Sequence, residues 1–403
     1  MKTRVLIVHN VYRFAGGEDA AVRQQQALLE ARGHPVFLYT RDNAETDTYN
    51  LLQKVTFFVT SFFSWRTYRD VRAIVRRFKP DVAHVHNVFP LITPAVYWAL
   101  KREGVPVIQT VHNFRFMCVN GLFFRDGHPC ELCKTGRVWN GVRYRCYRDS
   151  RLLSALYAGI IAVHRLARTW RQIDRFIALN AFTARKLVEG RIAAPDRIRV
   201  LGNFAPDAPR PAGNSQPRAP YVVYLGRLSA EKGVDVLIDA AAQVPALGIQ
   251  IAGDGPLENV LQARAAGLSN VEFLGRVEGE RKFQILRDAR ALVFPSVCYE
   301  NFSLVLLEAL SVSTPILASR LGGLPYILHD GADSLFFAPG DSHALAERLR
   351  QALEQPELMQ QLGRHGLEVT LPEYTEAVYY QRLIAIQAEV LAERSAFRSG
   401  AGD

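Results

Sequence analysis

Two cations and two carboxylates, set among glycine-rich loops, are the residues of this 403-residue chain best suited to chemistry. Arg227 and Lys232 stand in residues 226–233, directly after the apolar run 221–225. A guanidinium offers a planar fork of donors and an ammonium a compact charge. Beside a helix N-terminus such a pair makes a site for a diphosphate. A solvated basic turn is the plainer reading of the same residues. Glu300 and Glu308 lie eight residues apart, the first in a loop and the second inside an expected helix over 303–310. Each carboxylate could accept hydrogen bonds from paired hydroxyls, as on a sugar or a ribose. Two surface glutamates are the plainer reading here. The loop 253–256, Gly-Asp-Gly-Pro, adds a flexible turn on the same rim and little more.

These loops need a scaffold, and the hydrophobic pattern supplies one. Short apolar runs at 5–8, 36–39, 82–86, 105–111, 175–179 and 198–201 alternate with helical periodicity. That is the signature of a parallel sheet with helical crossovers. Residues 203–219 carry four prolines with Gly, Asn and Ser, and read as a linker. The pattern restarts with runs at 221–225, 249–252, 271–274, 291–295 and 315–318. A helix over 375–394 closes the chain. The expected fold class is therefore α/β: two Rossmann-like doubly wound domains facing a cleft, with the last helix crossing back to the first domain. The boundaries are 1–205, a linker at 206–219, 220–374, and a closing helix and tail at 375–403. Ligands of such sheets bind at the carboxyl ends of the strands.

Four motifs in order, Arg-Leu-x-x-x-Lys-Gly from Arg227, Gly-Asp-Gly from Gly253, Glu-x7-Glu from Glu300 and Gly-Gly-x-Pro from Gly322, resemble family 4 of the retaining glycosyltransferases, which have the GT-B fold. Gly16-Gly17-Glu18, Thr-x-His at 110–112 and the closing helix match as well, so the resemblance covers nearly the whole chain. It implies a hexosyltransferase-type enzyme that uses a nucleoside-diphosphate sugar and retains configuration by front-face attack. Arg227 and Lys232 would hold the donor diphosphate, Glu300 the sugar hydroxyls and Glu308 the ribose. Backbone amides at Phe302, Ser303 and Leu304 would approach the phosphates or sugar. Gly17 would let the first loop close on the donor, and His112 would lie near the sugar ring. Gly275, Arg276 and Val277 would flank the base. Ser303 replaces the family's usual glycine and could cap the helix. Tyr326 stands where the family often has Glu. No Asp-x-Asp occurs, so no cofactor is expected for catalysis.

Charge is uneven. Residues 1–205 hold 32 Lys and Arg against 15 Asp and Glu, a net +17, while the remainder carries −7. A basic half implies an acidic partner. Phe62, Trp65, Val71, Ile74, Val75 and Phe78 fall on one helical face edged by Arg66, Arg69, Arg72, Arg76 and Arg77, and residues 152–170 repeat the theme. Together they suggest an anionic membrane surface and a saccharide or lipid-linked acceptor. Core-facing helices with solvated arginines would show the same spacing. The opening run reads as a buried strand and no segment reaches the roughly 20 apolar residues of a span. The expected place is the cytoplasm, peripheral on the inner membrane face.

Cys118, Cys130, Cys133 and Cys146 lie in an Arg- and Gly-rich insert at about 114–150. Four thiolates with one C-x2-C pair could bind a structural zinc. Free buried thiols are the alternative. Two other function classes share these features: a nucleotide-sugar epimerase of the same architecture, and a basic zinc-containing nucleic-acid binder. Aromatics at helical spacing, not on strands, argue against nucleic acid.

Overall fold

Aliphatic and β-branched runs form the strands, and short glycine- or proline-marked loops turn them into helices. The computed structural model describes residues 2–12, 16–206 and 218–400, so the expected linker falls mainly outside the described residues. In chain order the strands are Val5–Val11 (β1), Val36–Asp42 (β2), Val82–Val85 (β3), Val107–Val111 (β4), Phe124–Arg125 (β5), His128–Pro129 (β6), Arg175–Ala178 (β7), Ile198–Val200 (β8), Tyr221–Leu225 (β9), Gly248–Ala252 (β10), Val271–Gly275 (β11), Leu292–Phe294 (β12), Ile316–Ser319 (β13) and Ser334–Phe337 (β14). Two six-stranded sheets result, ordered β2-β1-β3-β4-β7-β8 and β11-β10-β9-β12-β13-β14, and their strand pairs are parallel. Residues 5–8 of β1 are fully buried, as expected of a strand covered by helices on both faces.

The chain divides into two compact units. The first holds the residues up to Phe123, Glu131–Gly202 and the chain from Tyr379 onward. The second holds Phe124–Cys130 and Asn203–Val378. The short hairpin of β5 and β6 thus groups with the second unit, and its Phe124 packs on that unit's core around Val222, Leu237 and Ile251.

The last helix, Glu376–Gly400, returns to the first unit through specific polar contacts. Tyr379 donates to Gln25 Oε1 at 3.0 Å, and the Tyr380 hydroxyl lies 2.9 Å from His34 Nε2. Leu383, Ile386 and Val390 are buried beneath it. Gln387 Nε2 is 3.2 Å from His84 Nε2, and Gln25 Nε2 is 2.9 Å from His84 Nδ1. Burial pushes the pKa of His84 down to about 3. The folded chain therefore keeps this imidazole neutral, whereas the unfolded chain protonates it near pH 6.5. Stability is full above that value and falls as pH drops from about 6.5 toward 3. The expected loss from His84 alone is about 2 kcal/mol between pH 7 and pH 5. Urea unfolding at the two pH values checks this, with His84→Gln showing a correspondingly smaller loss.

The arginine-edged face is core-facing at its centre and exposed at Trp65. In the helix Trp65–Phe78, Thr67, Val71 and Val75 are buried, and Phe78 packs on the Phe37 ring. Arg72 and Arg76 bind Glu103. In the helix Arg151–Leu166, Leu156, Tyr157, Ile160 and Ile161 are buried. The fold thus uses the centre of each stripe, while Trp65, Leu152 and Leu166 remain exposed. Among the described residues no helix is long and apolar enough to cross a membrane.

Candidate functional site

In the second sheet the connections from β9 and β12 leave toward opposite sides, which makes the gap between these neighbours the topological switch point. Both cations of the sequence reading follow β9, and Glu300 follows β12. The two loops are stapled by backbone, with Val297 N donating to Glu231 O at 3.0 Å. Gly233 makes that approach possible: its φ is +65°, and a Cβ there would sit 2.1 Å from Pro295 O. Gly322 acts likewise on the far side of Glu300, with φ +61° and 3.0 Å from a notional Cβ to Glu300 N. Gly323 N then donates to Glu300 O at 2.9 Å.

This backbone frame brings Lys232 and Glu300 together. Lys232 Nζ donates to Glu300 Oε1 at 2.6 Å, and Ser296 Oγ donates to the same oxygen at 2.7 Å. Burial opposes the charge on Lys232, but the carboxylate of Glu300 outweighs it, so the lysine pKa is raised and the ammonium persists. Cys298, buried beside Glu300, has its thiol pKa raised by burial and by that carboxylate. It is a neutral neighbour rather than a nucleophile.

Glu308 sits within the buried helix Leu304–Ser311 and is held elsewhere. Lys282 Nζ, on the helix Gly279–Asp288, donates to its Oε1 at 2.6 Å. Arg227 is exposed at the rim, and its carbonyl accepts from the Tyr224 hydroxyl at 2.8 Å. Gly275 O accepts from Gly253 N at 2.8 Å, which ties the end of β11 to the Gly-Asp-Gly loop. Arg276 pairs with Glu278, and Val277 and Phe302 pack on the unit's second core. Ser303 occupies the N-cap but makes no side-chain cap bond, contrary to the sequence expectation. Ser303→Gly should therefore shift stability by less than about 0.5 kcal/mol, checked by thermal unfolding.

The first unit carries a polar cluster at the carboxyl ends of β1, β3 and β4, in which the sequence assigned donor contacts only to Gly17 and His112. Gly17 is exposed at the start of the helix Gly17–Ala31. His112 Nε2 lies 2.9 Å from His86 Nδ1, with the rings stacked. Burial lowers both pKa values, so the pair is neutral at pH 7. His9 Nε2 pairs with Asp19 Oδ1 at 2.7 Å. Burial opposes the Asp19 charge, but bonds from His9 and from the amides of Gly16 and Tyr12 hold its pKa below the ordinary value. Glu18 accepts from the Tyr12 hydroxyl at 2.9 Å, while its Oε1 and His86 Nε2 are buried without a hydrogen-bond partner among the described residues.

Cys130 groups with the second unit, and Cys118, Cys133 and Cys146 with the first. None forms a disulfide among the described residues; Cys118 Sγ donates to Asn120 Oδ1 at 3.0 Å and Cys133 Sγ lies 3.9 Å from Val138 O. Among the described residues no three His, Cys, Asp or Glu side chains are arranged to hold a metal ion.

Comparison with known proteins follows the same division. Residues 16–203 match the family model described as glycosyl transferase 4-like domain, and residues 207–369 match glycosyl transferases group 1. The sulfoquinovosyl transferase SQD2 of Arabidopsis thaliana is 26% identical over 311 residues, which cover 73% of this chain and 54% of that protein. The D-rhamnosyltransferase WbpZ of Pseudomonas aeruginosa is 35% identical over 150 residues, 36% of this chain and 39% of its own. The chain thus spans about half or less of these two relatives. Among solved structures, Anabaena HepE in complex with UDP superposes with a TM-score of 0.66 at 16% identity, covering 96% of this chain and all of that one.

Proposed function

Because this chain belongs to the GT-B glycosyltransferases, joining a 4-like domain to a group 1 domain, we propose that it moves a sugar from a nucleoside diphosphate to a hydroxyl of a saccharide or lipid-linked acceptor, with retention of anomeric configuration. Assembly of cell-surface polysaccharide is the setting that fits a lipid-linked acceptor. The observation that carries the reading is the Lys232–Glu300 pair between the loops after β9 and β12.

Loss of a nucleoside diphosphate from the anomeric carbon builds negative charge on the departing phosphate. Arg227 and Lys232 stabilise that charge, and donors fixed in advance act without reorganising. Glu300, already oriented by Lys232 and Ser296, accepts hydrogen bonds from the sugar hydroxyls. Glu308 takes the ribose. Gly275, Arg276 and Val277 border the base, and the amides of Phe302, Ser303 and Leu304 meet the phosphates. In the first unit, Gly17 contacts the donor and His112 the sugar ring. Neutral His112, bonded to His86, can donate or accept without adding charge beside the forming product.

Product analysis tests the reading. Incubation with UDP-, GDP- and ADP-sugars and a hydroxyl acceptor should yield a new glycosidic bond with the donor's anomeric configuration, read by NMR. An altered nucleotide sugar formed without acceptor would identify an epimerase instead.

A further inference from the structure

A cavity of about 560 Å³ in the first unit is lined by Phe63, Trp65, Tyr68, Trp98, Lys101 and Arg102. None of these belongs to the donor site. Phe63, Trp65 and Tyr68 form a cluster of ring contacts with centroids 5.0 to 5.8 Å apart. Trp98 forms another wall, held by its Nε1 donating to Thr169 Oγ1 at 3.3 Å. Thr169 Oγ1 is also 3.0 Å from His164 Nδ1, and His164 Nε2 is 2.8 Å from Phe62 O. These bonds tie the cavity to the end of the helix Arg151–Leu166 and to the segment after the helix Leu51–Thr60. Trp65, on the cavity wall, is 62% exposed, and the two helices expose Leu166 (83%) and Val59 (74%). A single exposed apolar residue is ordinary, but an exposed tryptophan among three further rings and two cations marks a surface site.

We propose that this cavity seats the phosphate headgroup of an anionic phospholipid, with Trp65 entering the edge of the acyl layer. Lys101 and Arg102 are exposed and supply the charge that a headgroup phosphate complements. Tryptophan and tyrosine rings favour the water–lipid boundary, where one end is apolar and the other wet. A soluble saccharide fits less well, because among the described residues the lining offers no carboxylate or carboxamide to pair with its hydroxyls. Lipid contact therefore uses the exposed Trp65 end of the arginine-edged stripe and this cavity, while Val71 and Val75 stay in the core. It is peripheral binding, strengthened by charge and shallow apolar insertion.

The test is co-sedimentation of the full chain with phosphatidylcholine vesicles containing roughly one-quarter phosphatidylglycerol, against vesicles of phosphatidylcholine alone. Binding to the anionic vesicles should shift tryptophan emission to the blue. Lys101→Gln with Arg102→Gln, and separately Trp65→Ser, should each weaken partitioning by on the order of tenfold. The same charge change made in the second unit, Arg350→Gln with Arg364→Gln, should leave it unchanged. Pocket variants that partition like wild type overturn the proposal, as does equal loss in the charge-matched control. Binding of a soluble acidic oligosaccharide that depends on Trp65 and Lys101, with no vesicle binding, assigns the cavity to a glycan and also overturns it. UDP affinity, measured on the same variants, stays at the wild-type value, so failure here is distinguishable from failure of the donor-site reading.

Discussion

Lys232→Ala should lower kcat/KM by about a thousandfold, roughly 4 kcal/mol of transition-state stabilisation. Two effects combine. The departing diphosphate loses a fixed cation where its charge develops. Glu300 also loses the ammonium at 2.6 Å that orients it. A partly buried carboxylate without its partner is costly, so the variant should also melt at a lower temperature. Lys232→Arg separates the two, since it keeps the charge near Glu300 but changes the donor shape. It should melt close to wild type while regaining only part of the activity. Steady-state kinetics beside thermal unfolding decides. Full activity in Lys232→Ala would remove the residue from the chemistry.

Glu308→Ala should raise the Kd for nucleotide about a hundredfold, roughly 3 kcal/mol, by deleting an ionised acceptor of ribose hydroxyls. The ribose is remote from the bond that breaks. The loss should therefore appear mainly in donor KM, with kcat reduced much less. Lys282→Met is the control: it removes the cation that Glu308 accepts from at 2.6 Å while keeping the carboxylate. If Glu308 served only to hold Lys282 in the fold, both variants would lose stability alike and neither would change nucleotide affinity. Calorimetric titration of both variants reads the difference.

The scaffold of this site was legible in the sequence because buried parallel strands are written as short continuous apolar runs. Runs at 221–225, 249–252 and 271–274 fall on β9, β10 and β11. β14 escaped, since Ser334–Phe337 holds only three apolar residues between a Gly-Ala-Asp turn and Pro339, too short a run to stand out. The two-residue strands β5 and β6 are below any periodic signal. Lys232 and Glu300 could be named from their loops, but not their ion pair, which depends on neighbouring strands 68 residues apart in the chain. Lys282 carried no signal, because its meeting with Glu308 is made by packing of two helices. His86 could have been found: the parallel register that sets Val85 beside Gln109 carries His86 toward His112. The arginine-edged stripe at 65–78 shows the opposite limit. Helical spacing marks a face as apolar, and only packing says whether protein or lipid covers it.

Titration of the purified chain with UDP, GDP and ADP, for wild type and Arg227→Ala, tests most directly whether the second unit holds a nucleotide-sugar donor. One nucleotide should bind with micromolar-range affinity (Kd on the order of 10–100 μM), and Arg227→Ala should weaken it by on the order of tenfold or more. No binding of any of the three at about millimolar concentration, or equal binding by the variant, would contradict the account.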